Sequence, residues 1–483
     1  MRLKRGLVLN LISNVLFFLC GYVVHFFLGN TLPAAEYGVV GTIMTVLDFE
    51  YMFLSNGARQ SIAKEISLQR FDIRDIIMKS LGFQMMVIAV FFIINFAGAP
   101  VFGHVLNDSS LDFYFKVAAF LIPANGLFVL LLGINDGLHR FSTGAIINTV
   151  YPIAKLCVIP LIIFWFQHDP VLGMEIGYLV ALLVSIALGL VLLIPARDRL
   201  RERRSEKIAF SSVCKNTLSF SFFFIMVSLV LSIDTLVVKS VVEPASMAGF
   251  YTGAVNLGKI PYYLVSAFCT IILPVVAKSV GAGDRDGALN RVKEFITLIA
   301  TFILPIPVLI SASSRPLLQA FYHEEYGIAG TALACLAFSS FFMGMTVLLN
   351  MVFSSFSSGH FSDLLSVASL VVVIPLFIVS AKFGGISAIA IASVASTFVT
   401  MGISYFTVIS RTGNIITRKA WITIGANAIL WVLLKIFFTV FHIHGLFLTA
   451  GVYAIVYLCY LGILFACRVL VIPNTLFHAR KAS

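Results

Sequence analysis

Charge is what this sequence has least of. Only 11% of its 483 residues are Asp, Glu, Lys or Arg, less than half the share of about 25% that a soluble domain carries. That is too little to cover a surface in water, which excludes an ordinary soluble enzyme or binding domain. No glycine-rich loop ends in Lys-Ser or Lys-Thr, so the chain does not power itself by nucleotide hydrolysis. The seven cysteines (Cys20, Cys157, Cys214, Cys269, Cys335, Cys459 and Cys467) are scattered, form no CxxC pair and lie almost wholly in apolar stretches. They read as small buried hydrophobes, with neither a disulfide frame nor a metal site. No His, Cys or Asp cluster has ligand spacing, and no catalytic constellation is visible; the chain is expected not to be an enzyme.

What is present is apolar sequence: 60% of residues are hydrophobic and mean hydropathy is +1.01. A helix needs about 20 apolar residues to span a bilayer, and about 14 such runs follow one another, from Leu7–Leu28 to Leu446–Ile472. The first follows Met1-Arg2-Leu3-Lys4-Arg5 and has no small-residue cleavage site after it, so it reads as an uncleaved helix. The exception to the apolar rule is Arg197–Lys207, an Arg-rich run that cannot lie in hydrocarbon. Lys/Arg-rich loops stay on the cytoplasmic side. With the N-terminus inside, roughly 26 of the 33 basic residues fall on that side. The other side collects Glu36, His104, Asp108, Asp169, Glu243, His323, Glu324 and Glu325. The bias survives to the C-terminus, so both termini are expected to be cytoplasmic. The net charge of +11 is then a property of loops, with no nucleic acid as partner.

The two sides of the basic run look alike. Gly38 and Gly249, and Arg74-Asp75 and Arg285-Asp286, share an offset of about 211 residues. Six helices separate equivalent points, so the halves have the same orientation about an axis along the membrane normal. The expected fold is an all-α polytopic membrane protein. Its parts are an N-terminal six-helix lobe (1–196), a basic linker (197–215), a C-terminal six-helix lobe (216–410), and two further helices with a tail (411–483). Twin lobes with a cleft between them are a transporter's plan.

Particular residues carry a further likeness. Glu36-Tyr37-Gly38 opens the second helix, and Asn56-Gly57-Ala58-Arg59 and Ala63-Lys64-Glu65 close it. Later come Ser232-Ile233-Asp234-Thr235-Leu236, Ala248-Gly249-Phe250-Tyr251, Lys259-Ile260-Pro261 and Leu273-Pro274-Val275. In their order and spacing these resemble the polysaccharide-type flippases of the superfamily that also holds multidrug and toxin extrusion exporters and lipid II flippases. The likeness covers most of Leu7–Ile409. One departure is Asn56-Gly57, where an acidic residue is expected before the glycine; this puts a carboxylate role there in doubt. The resemblance implies alternating access, and movement of an oligosaccharide linked to polyprenyl pyrophosphate from the inner to the outer leaflet of a bacterial inner membrane. No cofactor is expected, and a proton or sodium ion on a buried carboxyl group is the candidate coupling ion. Membrane lipids and glycan polymerase or export machinery are the implied partners.

Ionisable groups inside a membrane are costly and suggest function. A pyrophosphate needs cations and a glycan needs hydroxyl and amide groups. Lys259, about ten residues or roughly 15 Å into the eighth helix, and Lys155, central in the fifth, are the expected phosphate partners. Asn256, Asn125, Asn14 and His25 are candidate cavity-lining groups, although an interhelical hydrogen bond is the commoner role. Asp48, Glu50 and Asp234 are candidate ion-coupling carboxyls; an ion pair of one of them with Lys259 or Arg59 is as good a reading. Asp136 and Arg140, four apart, predict a local salt bridge. Pro123, Pro152, Pro160, Pro261, Pro274, Pro305, Pro307 and Pro375 predict kinks. A multidrug or cation exporter remains open and predicts an acidic cavity without central lysines. A lipid II-type flippase also remains open. A membrane glycan polymerase needs a long outward loop bearing catalytic groups, whereas every outward loop here looks short.

Overall fold

The computed structural model describes residues 2–200, 206–281, 283–356, 361–441 and 445–469. In chain order its helices are α1 (Arg2–Thr31), α2 (Ala34–Phe53), α3 (Gln60–Leu68), α4 (Ile73–Val105), α5 (Leu111–Ala118), α6 (Leu121–Gly137) and α7 (Phe141–Lys155). There follow α8 (Val158–Phe164), α9 (Pro170–Leu193), α10 (Arg197–Leu200), α11 (Phe210–Val230), α12 (Ile233–Val241), α13 (Ser246–Gly258) and α14 (Ile260–Gly281). The rest are α15 (Arg285–Phe302), α16 (Pro305–Ala312), α17 (Ser314–Phe321), α18 (Gly330–Phe356), α19 (Phe361–Thr412), α20 (Arg418–Val440) and α21 (Leu446–Ala466). No strand occurs among the described residues.

Eleven helical segments there are long and apolar enough to cross a membrane. One of them is α19, whose 52 residues would measure about 78 Å as a straight helix against a hydrocarbon core of about 30 Å. Its backbone leaves helical dihedrals at Gly384 and Gly385. Gly385 has φ +58°, a left-handed conformation that a residue without Cβ adopts freely. So α19 is two crossings joined by a sharp turn. With α1, apolar over Val15–Thr31, and α14, the described residues hold the expected 14.

Helix breaks follow the prolines. A proline ring clashes with the carbonyl four residues upstream and offers no N–H to it. Four residues before Pro123, Pro160, Pro261 and Pro307 stand Ala119, Leu156, Leu257 and Ile303. Each lies at or beside a break: between α5 and α6, α7 and α8, α13 and α14, and α15 and α16. Pro152 and Pro375 are instead accommodated inside α7 and α19. A π-helical turn at Leu54–Arg59 joins α2 to α3.

The chain divides into two compact units, Met1–Gly249 and Phe250–Ser483. α11 and α12, which the repeat assigns to the second lobe, therefore pack with the first. Polar bonds tie them there: Asn216 Nδ2 to Glu65 Oε1 at 2.8 Å, Ser221 Oγ to the Phe53 carbonyl at 3.3 Å, and Lys239 Nζ to Asp108 Oδ2 at 2.6 Å. α2 runs through the interior of this unit, with Tyr37, Ile43 and Leu47 all fully buried. The segment after the basic run is strapped to the start of α4. There Asp72 N–H donates to the Glu206 carbonyl (2.9 Å), Ile208 N–H to Asp75 Oδ2 (3.0 Å), and Lys79 Nζ to the Ile208 carbonyl (2.6 Å).

Gly38 is a close approach. A Cβ there would sit 2.8 Å from Gly249 N and 2.9 Å from Ala248 Cβ, at the start of α13. Gly38→Leu is expected to destabilise the first unit by about 1–3 kcal/mol through overpacking, with Gly38→Ala at the low end. Thermal unfolding in detergent measures it, and an unchanged midpoint for Gly38→Leu would show that α2 and the start of α13 are not packed together.

In the second unit the final pair of helices is held by a line of tyrosines on one face of α21. Tyr457 hydroxyl donates to the Phe302 carbonyl (3.0 Å), at the α15–α16 break where no backbone N–H continues the helix. Tyr453 bonds Ser313 Oγ, and Tyr460 hydroxyl accepts from Asn427 Nδ2 of α20 (2.8 Å). Trp431 Nε1 donates to Ser311 Oγ (3.2 Å). Outside the repeat, α20 and α21 thus serve as a brace on the ninth crossing, and Tyr457 satisfies the carbonyl that its proline break leaves open.

Candidate functional site

Lys155 is the last residue of α7. The break imposed by Pro160 ends the helix there, and the side chain turns among aromatic rings. Its Nζ lies 3.9 Å from the Tyr178 ring centre (α9), 5.0 Å from Tyr151 (α7, one turn back) and 5.9 Å from Phe17 (α1). All three fall within the roughly 6 Å reach of a cation–π contact. Tyr151 is itself wedged between Phe17 and Phe128. Nearby, α1 and α7 are joined by Asn148 Nδ2 donating to Ser13 Oγ at 2.8 Å. The charge of Asp48 acts on Lys155, Tyr51, Tyr151 and Tyr178, yet among the described residues Lys155 forms no ion pair within 4 Å. Ring faces attract the ammonium without accepting hydrogen bonds as an oxygen does. An ammonium so held keeps its donors for an anion, and phosphate oxygens are strong acceptors for them.

Asp48 and Glu50 point different ways, as two residues on a helix must. Asp48 serves the Lys155 box. Glu50 is 2% exposed and faces α4, where Asn95 Nδ2 donates to its Oε1 while Oε2 has no hydrogen-bond partner. His25 Nδ1 and Tyr37 hydroxyl meet at 3.3 Å, joining α1 to α2. Asn125 is buried in α6 with its Nδ2 unpartnered. The Asn14 side chain lies outside the described residues, as do residues 201–205 of the basic run. Asp234 is buried at the start of α12, and its Oδ1 accepts the Thr235 N–H at 2.7 Å.

The second unit holds Lys259 at the α13–α14 break, half-buried, with Asn256 one turn before it. The Gly258 carbonyl freed by that break accepts from Ser340 Oγ at 2.5 Å. Asn350, on α18, is 2% exposed with neither amide atom partnered.

One expected pairing is replaced. Asp136 takes Arg59 of the π-helical turn (Nε to Oδ2, 2.8 Å), and Arg140 donates to the Leu192 carbonyl at 2.9 Å. The i,i+4 relation fails because α6 stops at Gly137 and His139 has a positive φ, so Asp136 and Arg140 do not share a helical face. The π turn also carries Arg59 toward α6.

Three polar residues escaped the sequence reading. Glu175 is the one acid in an otherwise apolar α9 and is 1% exposed; that isolation was the available signal. Asn95 carried a similar one. Lys239 lies near the end of α12, where an exposed role is the ordinary expectation, yet its side chain is 3% exposed against Asp108. Burial alone would raise the Asp108 carboxyl, but hydrogen bonds from Lys239 and Ser110 hold it below its ordinary value. No set of three His, Cys, Asp or Glu side chains among the described residues converges to hold a metal ion.

Comparison with known proteins places this geometry. The family model described as polysaccharide biosynthesis protein matches residues 3–280, and the MatE model matches residues 218–379. No curated protein sequence matches the chain. Among solved structures, "Lipid II flippase MurJ, inward closed conformation" superposes with a TM-score of 0.71 at 14% identity, over 96% of this chain and 100% of that one. An inward-facing multidrug resistance MATE family transporter of the MOP superfamily gives 0.66 at 12% identity, over 84% and 98%. A MOP superfamily transporter from Pyrococcus furiosus, described as having a binding pocket of reversed polarity, gives 0.64 at 14%, over 86% and 95%. At these identities the likeness establishes a shared fold.

Proposed function

This chain belongs to the polysaccharide biosynthesis protein family, and we propose that it flips a polyprenyl-pyrophosphate-linked oligosaccharide from the cytoplasmic to the outer leaflet of a bacterial inner membrane. The observation that carries this reading is Lys155, an ammonium among membrane-crossing helices held by ring faces, with no ion pair among the described residues. A drug-cation carrier has no use for a positive charge there; a pyrophosphate carrier does. The surrounding rings suit the flat apolar faces of sugars next to the phosphates. Lys259, with Asn256, is the cation of the second unit in this reading. Access would alternate between the two sides of the membrane, with Asp48, Glu50 or Asp234 as candidates for a coupling ion and both termini cytoplasmic.

Removal of the protein tests the reading directly. A single polyprenyl-linked oligosaccharide should accumulate in the cytoplasmic leaflet, identified by mass spectrometry of the extracted lipids. Unchanged lipid-linked sugars on both leaflets would exclude glycan flipping. The cation-exporter reading draws on the match of residues 218–379 to the MatE model. It predicts instead that removal sensitises cells to cationic compounds.

A further inference from the structure

Glu175 has no part in the phosphate site. It lies five residues into α9, about 8 Å from that helix's start. Among the described residues it is the one carboxyl group with both oxygens buried and neither hydrogen-bonded. A bare carboxylate in such a place has lost its water and gained nothing in return.

Its surroundings supply acids, and a cavity lies at the same end of its helix. Asp169 caps α9 by accepting the Leu172 N–H at 3.1 Å, takes the Tyr114 hydroxyl at 3.0 Å, and acts electrostatically on Glu175. Tyr114 in turn feels the charges of Asp169, Glu36 and Glu175. Glu36 lines a cavity of about 390 Å³ with Thr31, Gln167 and His168, at the same end of α9. The helices packed on α9 offer no better partner. On α5, Asp112 and Lys116 pair with each other at 2.8 Å. On α7, Lys155 and Tyr151 serve the box around Tyr178, one turn farther along α9. On α2, Asp48 and Glu50 are turned to Lys155 and Asn95. α8 has no titratable side chain, and Asp136 of α6 is taken by Arg59. A metal ion would need converging ligands, and none converge among the described residues.

We propose that Glu175 is a reversible proton-binding site of the first unit, loaded and emptied through the cavity at Glu36 by way of Asp169 and Tyr114. Loading forms an O–H bond on one carboxyl oxygen, the proton coming from hydronium in the cavity and leaving water. Unloading returns the proton to water there. Tyr178, whose ring holds Lys155, lies three residues on, one turn farther along α9. The proton site stands independently of the flippase reading; its use in coupling rests on that reading.

Two measurements on the full-length protein in lipid vesicles separate these claims. The first is the infrared difference between wild type and Glu175→Gln at neutral pH. A protonated-carboxyl C=O stretch present in wild type and missing from the variant is expected; identical spectra overturn the proposal. Should Glu175→Gln fold poorly, Glu175→Met provides the same difference. The second is flipping of a fluorescent polyprenyl pyrophosphate under an imposed pH gradient. Wild type should respond by up to about tenfold per pH unit if one proton moves per cycle, and Glu175→Gln should not respond. A variant that responds as wild type does overturns the coupling role. If wild type moves no probe at all, the flippase reading fails while the infrared result still decides the proton site.

Discussion

Lys155→Ala is expected to slow flipping of a polyprenyl pyrophosphate by about 10- to 100-fold while leaving the fold intact. A hydrogen bond to a charged group contributes about 1.5–3 kcal/mol, and each 1.4 kcal/mol is a factor of ten. Removal of Lys155 breaks no ion pair among the described residues, so the cost should fall on substrate and leave unfolding nearly unchanged. Lys155→Arg keeps the charge and should retain part of the rate. Tyr178→Leu removes the nearest ring, 3.9 Å from Nζ, and tests whether the rings position the ammonium; its rate should fall less than that of Lys155→Ala. A fluorescent pyrophosphate lipid reconstituted in vesicles gives all three numbers. Full-rate flipping by Lys155→Ala would remove this residue from the substrate path and leave Lys259 of the second unit as the remaining cation to test.

The second large effect is on stability. Asp108→Ala should destabilise the first unit by about 3 kcal/mol, the lower end of the 3–5 kcal/mol that follows when one partner of a buried pair is removed. The lower end applies because Asp108 is 22% exposed while Lys239 is 3% exposed. The loss comes from leaving an ammonium buried without its carboxylate. Lys239→Met removes the charge itself and should cost less, and the double substitution should recover much of the Asp108→Ala loss. Thermal unfolding in detergent measures the set. Equal losses for both single changes, with simple addition in the double, would show that the pair is not coupled. The pH dependence has a definite sign. The folded-state carboxyl is held below its unfolded value, so its contribution is present at neutral pH and is lost as pH falls through the lowered value. Wild type should therefore lose this increment only in strong acid, and Asp108→Ala should lack that part of the acid transition. Asn107 Nδ2 donating to the Ser240 carbonyl at 2.7 Å gives the same α4–α5 loop a second hold on α12.

Much of this protein was determined by sequence alone. The membrane, the number of crossings and the all-helical class follow from where apolar residues run on and where charge interrupts them. Those are properties of each segment taken singly, because transfer into hydrocarbon depends on a helix's own composition. The proline breaks belong to the same kind of property, a clash four residues upstream within one helix. Which polar side chains meet was decided by tertiary structure. Arg59 and Asp136 are 77 residues apart, and Asp108 and Lys239 are 131 apart; a local pairing rule chose Arg140 for Asp136 and had nothing to say about Lys239. The aromatic box at Lys155 draws on three helices, and although Glu175 stood out in sequence as the one acid of α9, only packing showed that both its oxygens lack a partner. The repeat assigned α11 and α12 to the second lobe, but their side chains bury against the first. Sequence similarity records descent, whereas helix association depends on which faces fit.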